Sequence, residues 1–228
     1  KAAQSVDPKL SVLVVTKDAA VQSNSNYAQG GIAGVLDSDD RFEFHVNDTL
    51  TAGGTLCDPE VVDMVIREAP KRIAELRDCG TLFDEKGGTL TLGREGGHSH
   101  NRIVHALGDM TGREIMRAML ARTKTLPNVN LWERTFTLDL ITYDGECCGA
   151  IVSRGNAGGL MFVWARQTIL ATGGAAQVYR DSTNPSVATA DGHAMAYRAG
   201  CRVRDMEFMQ FHPTVLYIAG GSRSLITE

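Results

Sequence analysis

One polar stretch, residues 94–102, carries most of the side chains that could bind a small acid. Written REGGHSHNR, it combines a carboxylate, two imidazoles and two guanidinium groups around a pair of glycines. An arginine can hold a carboxylate or a phosphate through two parallel hydrogen bonds. An ordinary exposed charged loop is the alternative interpretation. His98 and His100 lack the spacing of a zinc site, so we predict no metal here.

Two glycine pairs and one histidine are the other candidates for ligand binding. Gly30 and Gly31 follow a polar loop, and Gly173 and Gly174 follow an apolar run. Glycines let the backbone approach a ligand closely and present its N–H groups. A plain turn is the alternative in both places. His212 stands among apolar residues before a proline, so it is either a buried structural histidine or a ligand for a substrate carboxylate.

The elements that must position these residues follow an α/β pattern. Apolar runs at 10–16 and 167–171 are typical of strands buried on both faces. A helix is predicted to begin at Asp58–Pro59 and to end before Gly80, with a kink or an interruption at Pro70. Further helices are predicted at 112–123 and 188–199.

Four short strands are predicted to form an antiparallel meander inserted into this α/β pattern. The turn at Asp144–Gly145 is typical of a hairpin between the second and third strands. The four predicted strands are 129–132, 135–143, 148–153 and 160–164.

The composition is that of an ordinary globular protein and limits the classes of partner. The chain has 228 residues, of which 43% are hydrophobic, and a net charge of -4, which gives no reason to expect nucleic acid. No apolar run approaches the roughly 20 residues that span a bilayer, so no membrane partner is predicted. The five cysteines are odd in number and match no metal-site spacing. They are expected to be free thiols in a reducing cytoplasm.

Six segments, taken in order along the chain, resemble the succinate dehydrogenase and fumarate reductase flavoprotein superfamily. They are SNSNYAQGGIAGV, DTLTAGGTLCDPEVV, REGGHSHNRIVHALGDMTGREI, LATGGAAQVY, ADGHAMAYRAGCRV and MEFMQFHPT followed by LITE. The resemblance covers essentially the whole chain. Within the superfamily it is strongest to the L-aspartate oxidase family, for which REGGHSHNRIVH is the most specific segment.

The resemblance implies an enzyme that uses FAD to oxidise L-aspartate to iminoaspartate, with oxygen or fumarate as electron acceptor. That reaction is the first step of de novo NAD biosynthesis. It also implies a cytoplasmic protein, L-aspartate and fumarate as ligands, and quinolinate synthase as a candidate partner. Two alternatives stay open: a soluble fumarate reductase or succinate dehydrogenase flavoprotein, and a non-catalytic remnant of the FAD domain.

The resemblance further implies a Rossmann-like FAD-binding domain over residues 1–205, with the meander inserted, and the start of a capping domain over residues 206–228. A dinucleotide-binding unit begins with a strand and a GxGxxG turn. Neither precedes Leu10, and the catalytic arginine of the family is expected beyond Glu228. The chain is therefore expected to be truncated at both ends. These residues alone are therefore expected to lack activity and to hold FAD poorly.

Site positions are also implied by the resemblance. The substrate-binding positions match Glu95, His212 and Thr227, although a surface pair between Glu95 and Arg94 or Arg102 is the alternative for the first of them. Dehydrogenase relatives carry a flavin-linking histidine at the position of Asn24, so non-covalent FAD is expected. Ala190 replaces the family's usual glycine. The positions near FAD are Lys17, Asn24, Ser25, Asn26, Tyr27, Ala28, Gln29, Gly30, Gly31, Phe136, Thr137, Thr172, Gly173, Gly174 and Asp191.

Overall fold

The structure is a computed structural model that describes residues 9–155, 159–212, 214–216 and 224–225. The chain divides into two compact units. The first unit comprises Lys1–Asn24 and Lys124–Ile226, and the second unit comprises Ser25–Thr123 and Thr227–Glu228. The domain boundary predicted after residue 205 stays a prediction.

The helices and strands of the described residues are named in chain order. The α-helices are α1 (Phe42–Gly53), α2 (Pro59–Asp78), α3 (Thr111–Lys124) and α4 (Asp191–Arg198). The strands are β1 (Val12–Val15), β2 (Ile32–Ala33), β3 (Glu85–Lys86), β4 (Thr89–Leu90), β5 (Leu92–Gly93), β6 (Ile103–Val104), β7 (Val129–Trp132), β8 (Thr135–Tyr143), β9 (Glu146–Arg154), β10 (Leu160–Trp164), β11 (Val215–Leu216) and β12 (Ser224–Leu225). None of these helices has the length and apolar character needed to cross a bilayer.

The first unit contains a parallel strand pair and an antiparallel meander. Strands β8, β9 and β10 form the meander, as predicted, and both residues of the Asp144–Gly145 turn have positive φ, 50° and 79°. This is the geometry of a tight hairpin turn. The prediction that β7 joins the meander was wrong, because β7 pairs in parallel with β1. A parallel pair needs a long crossover connection, and the chain between β1 and β7 includes three helices.

The strand predicted at residues 167–171 was also wrong. This segment pairs with no strand of the described residues, and Ile169 is 75% exposed. An apolar run becomes a strand only where a neighbouring strand satisfies its backbone hydrogen bonds. The small-residue helix predicted at 188–199 is present but begins later, at Asp191.

The second unit is built around the helix α2 and the three-stranded antiparallel sheet β2–β6–β5. The α2 helix begins where predicted, because the Asp58 carboxylate accepts hydrogen bonds from the amides of Glu60 and Val61. The helix continues through Pro70, so the interruption, one of the two outcomes predicted there, does not occur. Ile73 of α2 packs against Val104 of β6 in a core cluster that also contains Phe83 and Ala106.

A fully buried arginine connects this sheet to α1, which the sequence did not predict. The Arg102 amide donates to the Gly93 carbonyl (3.0 Å), and its carbonyl accepts from the Gly34 amide (2.9 Å). Its guanidinium donates two hydrogen bonds to Asp40 (2.8 and 2.7 Å) and one to Asp48 (2.6 Å). Arg102 is 0% exposed, so a substrate carboxylate cannot reach it, and the exposed-loop interpretation is wrong for this residue.

The Asp48 carboxylate also holds the loop formed by residues 94–101. Its Oδ2 atom accepts from the amide (2.8 Å) and the hydroxyl (2.7 Å) of Ser99. Burial would raise the pKa of Asp48, but the hydrogen bonds from Ser99 and Arg102 outweigh burial and lower the pKa to about 2. Asp48 therefore stays ionised and joins the loop, Arg102 and α1 at one point.

Replacing Arg102 with methionine should destabilise the protein strongly. The substitution leaves the buried Asp40 and the nearly buried Asp48 without a counter-charge. Loss of one partner of a buried ion pair costs about 3–5 kcal/mol. We expect a loss of that size in the free energy of unfolding, measured by urea denaturation of the full-length protein.

The matched control is Arg67→Met. Arg67 also contacts two carboxylates, Asp63 and Glu43, but its side chain is 48% exposed. Exposed ion pairs are screened by solvent and contribute little to stability. If the Arg102 variant lost no more stability than this control, the buried cluster would not hold the unit together.

His45, on the buried side of α1, should make stability sensitive to mild acid. Burial lowers the pKa of His45 below its usual 6.5, and the charges of Arg102 and His98 lower it further. The unfolded chain therefore binds the proton first as pH falls, so this contribution to stability is present above about pH 6.5 and is lost below it. His45→Asn should flatten the fall in the free energy of unfolding between about pH 7 and pH 5. The exposed His212→Asn is the control, and equal slopes in the wild type and the His45 variant would contradict this prediction.

Candidate active site

A groove in the second unit brings together three of the residues predicted from the sequence. Glu95, predicted for substrate, lines this groove with Gln29 and Gly30, which were predicted for the cofactor. Its volume is about 350 Å³. The other lining residues are Asp84, Thr91, Gly93, His105, Gly108 and Asp109.

The sheet β2–β6–β5 explains why residues far apart in sequence meet at this groove. Ile32 of β2 pairs with Val104 of β6, so the next residues along the two strands, Gly31 and His105, stand opposite each other. Gly31 has φ +73°, and a Cβ atom there would lie 2.6 Å from the Val104 carbonyl oxygen. No side chain fits at Gly31, which brings the backbone of the predicted cofactor loop directly against β6.

Glu95 lies beyond the end of β5 with its side chain 43% exposed. Its Oε1 atom is 3.3 Å from Nε2 of His105. An ionised carboxylate can only accept hydrogen bonds, so Nε2 carries the proton in this contact. The other oxygen of Glu95 makes no hydrogen bond with the described residues. The alternative pairing with Arg102 is wrong, because Asp40 and Asp48 occupy that guanidinium.

The predicted cofactor loop starts as a short 3-10 helix, Asn24–Tyr27, and its second-unit part rests on the first turn of α3. The Gly112 amide donates to the Ala28 carbonyl (2.9 Å). A Cβ atom on Gly112 would lie 1.9 Å from the Ser25 carbonyl oxygen. Gly112 is therefore a residue that the site needs and that the sequence interpretation missed. Its only signal is a glycine at a helix start, where helix propensity would favour other residues.

In the first unit, the structure brings Lys17 and Asp191 together although 174 positions separate them. The Lys17 ammonium forms an ion pair with Asp191 and contacts the Thr189 hydroxyl, which itself donates to Asp191 (3.0 Å). Ala190, which lies between Thr189 and Asp191 in the sequence, adopts a left-handed conformation with φ +64°. A non-glycine residue in this conformation costs about 1–2 kcal/mol, so a glycine would relieve strain at this position.

Thr172, Gly173 and Gly174 lie beside this cluster. The Gly174 carbonyl accepts from the Ala190 amide (3.2 Å), and a Cβ on Gly192 would overlap the Thr172 hydroxyl at 1.7 Å. Gly192 is a second residue that the sequence interpretation missed. Cβ atoms on Gly173 and Gly174 would meet nothing within 4 Å, so both backbones face open space in the described residues.

Phe136 and Thr137 lie on β8, a strand that α4 contacts. The Arg198 side chain of α4 donates to the Asp139 carboxylate (2.7 Å) and to the Leu138 carbonyl (3.1 Å). Phe136 is 44% exposed, so its ring is accessible to a ligand in the described part of the unit.

His212 is exposed, so the interpretation as a buried structural histidine is wrong. It lines a cavity of about 500 Å³ with Phe211 and Tyr179, whose rings pack edge to face at 5.2 Å. Its Nδ1 atom lies 2.8 Å from the Thr214 carbonyl oxygen and 3.2 Å from the Thr214 amide nitrogen. Thr227, the third predicted substrate residue, lies outside the described residues.

Residues 2–228 match the family model described as FAD binding domain. The chloroplastic L-aspartate oxidase of Arabidopsis thaliana is 48% identical over 210 residues, which cover 90% of this chain and 32% of that protein. The L-aspartate oxidase of Vibrio cholerae is 42% identical over 229 residues, which cover 95% of this chain and 43% of that protein. The chain thus spans about a third to two-fifths of the length of these relatives.

Two solved structures superpose closely on this chain. A variant of the E. coli quinol fumarate reductase FrdA gives a TM-score of 0.90 at 32% identity, over 94% of this chain and 37% of that chain. Mycobacterium smegmatis Sdh1 gives 0.90 at 31% identity, over 99% of this chain and 40% of that chain. These superpositions confirm the predicted α/β fold class. Because the family model matches almost the entire sequence, the chain belongs to the FAD binding domain family.

Proposed function

We propose that the full-length protein is an FAD-dependent oxidoreductase that oxidises L-aspartate to iminoaspartate, with oxygen or fumarate as electron acceptor. The observation that carries the proposal is the shared groove of Glu95, Gln29 and Gly30, which places an anionic side chain beside the glycines of the predicted cofactor loop. The identity to L-aspartate oxidases supports it. The proposal extends to the first step of de novo NAD biosynthesis in the cytoplasm, with quinolinate synthase as a candidate partner.

The described residues fit FAD in each unit. A Cβ atom on Gly30, Gly173 or Gly174 would meet nothing within 4 Å, which leaves room for a ligand against the backbone. The Asn24 Oδ1 atom is buried without a hydrogen-bond partner among the described residues, and such atoms usually have one. FAD bound there would supply the redox chemistry as a hydride acceptor.

The chain's own contribution is to bind and orient the substrate. L-aspartate differs from a plain dicarboxylate by one ammonium group, and only an acceptor can favour that group. Glu95 supplies such an acceptor through the oxygen that His105 does not contact. His212, and Thr227 outside the described residues, are proposed to bind carboxylate. A fumarate reductase or succinate dehydrogenase is the second candidate, supported by the superposition on FrdA and Sdh1.

FAD should be bound without a covalent link. The position of the flavin-linking histidine is occupied by Asn24, whose amide has no nucleophilic ring nitrogen. Acid precipitation of the holoprotein should release all of the yellow colour into the supernatant. Flavin fluorescence that stays on the denatured protein band would refute a non-covalent link.

Glu95→Gln in the full-length enzyme should lower kcat/KM for L-aspartate about tenfold or more, because a charge-assisted hydrogen bond contributes about 1.5–3 kcal/mol. Fumarate reduction should be kept, since fumarate has no ammonium group for Glu95 to bind. Steady-state assays with both substrates measure the two values.

Glu85→Gln is the control, because Glu85 pairs with Arg77 at 2.8 Å and does not line the groove. Equal losses on L-aspartate and fumarate in the Glu95 variant would indicate a structural role. An unchanged kcat/KM for L-aspartate would remove Glu95 from the substrate site.

A further inference from the structure

We propose that His105 is a positioning residue that fixes the Glu95 carboxylate for recognition of the ammonium group of an amino dicarboxylate. The proposal rests on the proposed function and adds to it the residue that makes the recognition group rigid. The imidazole Nε2 atom donates to Glu95 Oε1 at 3.3 Å, and both residues line the groove.

The His105 ring lies between Gly31, which precedes β2, and Gly93 of β5. A Cβ atom on Gly93 would lie 2.9 Å from the ring Cε1 atom, and one on Gly31 would lie 3.0 Å from the ring Cδ2 atom. Real Cβ contacts are rarely so short, so any side chain at either position would displace the ring. The two glycines therefore form a slot that fits the imidazole and fixes its orientation.

The backbone at His105 is fixed as well. Its carbonyl accepts from the Asp84 amide (2.8 Å), and the next amide, of Ala106, donates to the Thr111 hydroxyl (3.1 Å). The side chain is only 23% exposed. A ring held by both its backbone and its slot presents Nε2 at a single point in the groove.

Glu95 needs such a partner because little else restrains it. Its side chain has three rotatable bonds and is 43% exposed, so its rotamers are costly to order on substrate binding. The hydrogen bond from His105 engages Oε1 before substrate arrives and leaves the second oxygen available to the ammonium group. Preorganisation of this kind increases affinity by reducing the ordering cost.

Asp84, another acid of the groove, already has partners for both of its carboxylate oxygens. Both oxygens of Asp84 accept backbone hydrogen bonds, from the amides of Leu107 (2.9 Å) and Gly108 (3.1 Å). These two residues form a turn in which both have positive φ, 55° and 67°. Asp84 therefore stabilises the turn that follows His105, whereas Glu95 keeps one carboxylate oxygen without a hydrogen bond among the described residues.

The test compares His105→Gln with His105→Met in the full-length FAD-loaded enzyme. Glutamine and methionine are nearly equal in length and volume, but only glutamine keeps an N–H donor. His105→Met should lower kcat/KM for L-aspartate about three- to tenfold, mainly through KM, because one hydrogen bond is lost. His105→Gln should recover most of that loss, and in the methionine variant the loss of kcat/KM should be larger for L-aspartate than for fumarate.

A double-mutant cycle with Glu95→Gln isolates the contact. In the Glu95→Gln background, His105→Met should have no further effect on kcat/KM for L-aspartate. Bound FAD, measured by absorbance, should be equal in all variants, which separates positioning from loss of fold.

Three results in an active enzyme would overturn the proposal: additive effects in the cycle, equal losses on L-aspartate and fumarate, or a glutamine variant no better than the methionine variant. A wild-type enzyme that reduces fumarate but does not oxidise L-aspartate would instead overturn the proposed function. The failure of the inference and that of the function are therefore distinguishable.

Discussion

The Arg102 guanidinium is completely buried, and it can stay charged there only because Asp40 and Asp48 surround it. Burying a charge without a partner is far more costly than burying a matched cluster. The same residue is part of the sheet through its amide and carbonyl, and Asp48 also holds Ser99. One buried charge thereby fixes the start of β6, the position of α1 and the loop that carries Glu95. The groove depends on this cluster, although Arg102 is not among its lining residues.

The register of the antiparallel sheet β2–β6–β5 determines which residues meet at the groove. The pairing of β6 with β2 and β5 brings Gly31 and Gly93 against His105, and His105 against Glu95. Side chains would not fit at either glycine. Close packing of the two glycine backbones therefore fixes the His105 ring, just as hydrogen bonds fix the Arg102 guanidinium. Both constraints reduce the freedom of the residues that would face a substrate.

Local patterns predicted the α2 helix and the three strands of the meander, whereas the family resemblance singled out Glu95, Gln29 and Gly30 of the groove. Asp58 and the Asp144–Gly145 turn carry their signals within a few positions of where they act. The Arg102 cluster has no such signal, because Asp40 and Asp48 lie 62 and 54 positions away. Strand pairing is also non-local, so an apolar run could not show that β7 pairs with β1 or that residues 167–171 pair with no described strand. Gly112 and Gly192 were missed for the same reason, since a glycine in the sequence does not show which residues its backbone contacts.

The two carboxylates that surround Arg102 and the Glu95 carboxylate of the groove have different partners, and the difference bears on chemistry. Arg102 is always a cation, so it offsets the charge of the carboxylates around it. An arginine or lysine beside Glu95 would likewise weaken the attraction between that carboxylate and an ammonium group. A histidine can donate a hydrogen bond while its ring is neutral. His105 can therefore orient Glu95 without cancelling the negative charge on which selection of an amino acid over a plain dicarboxylate depends.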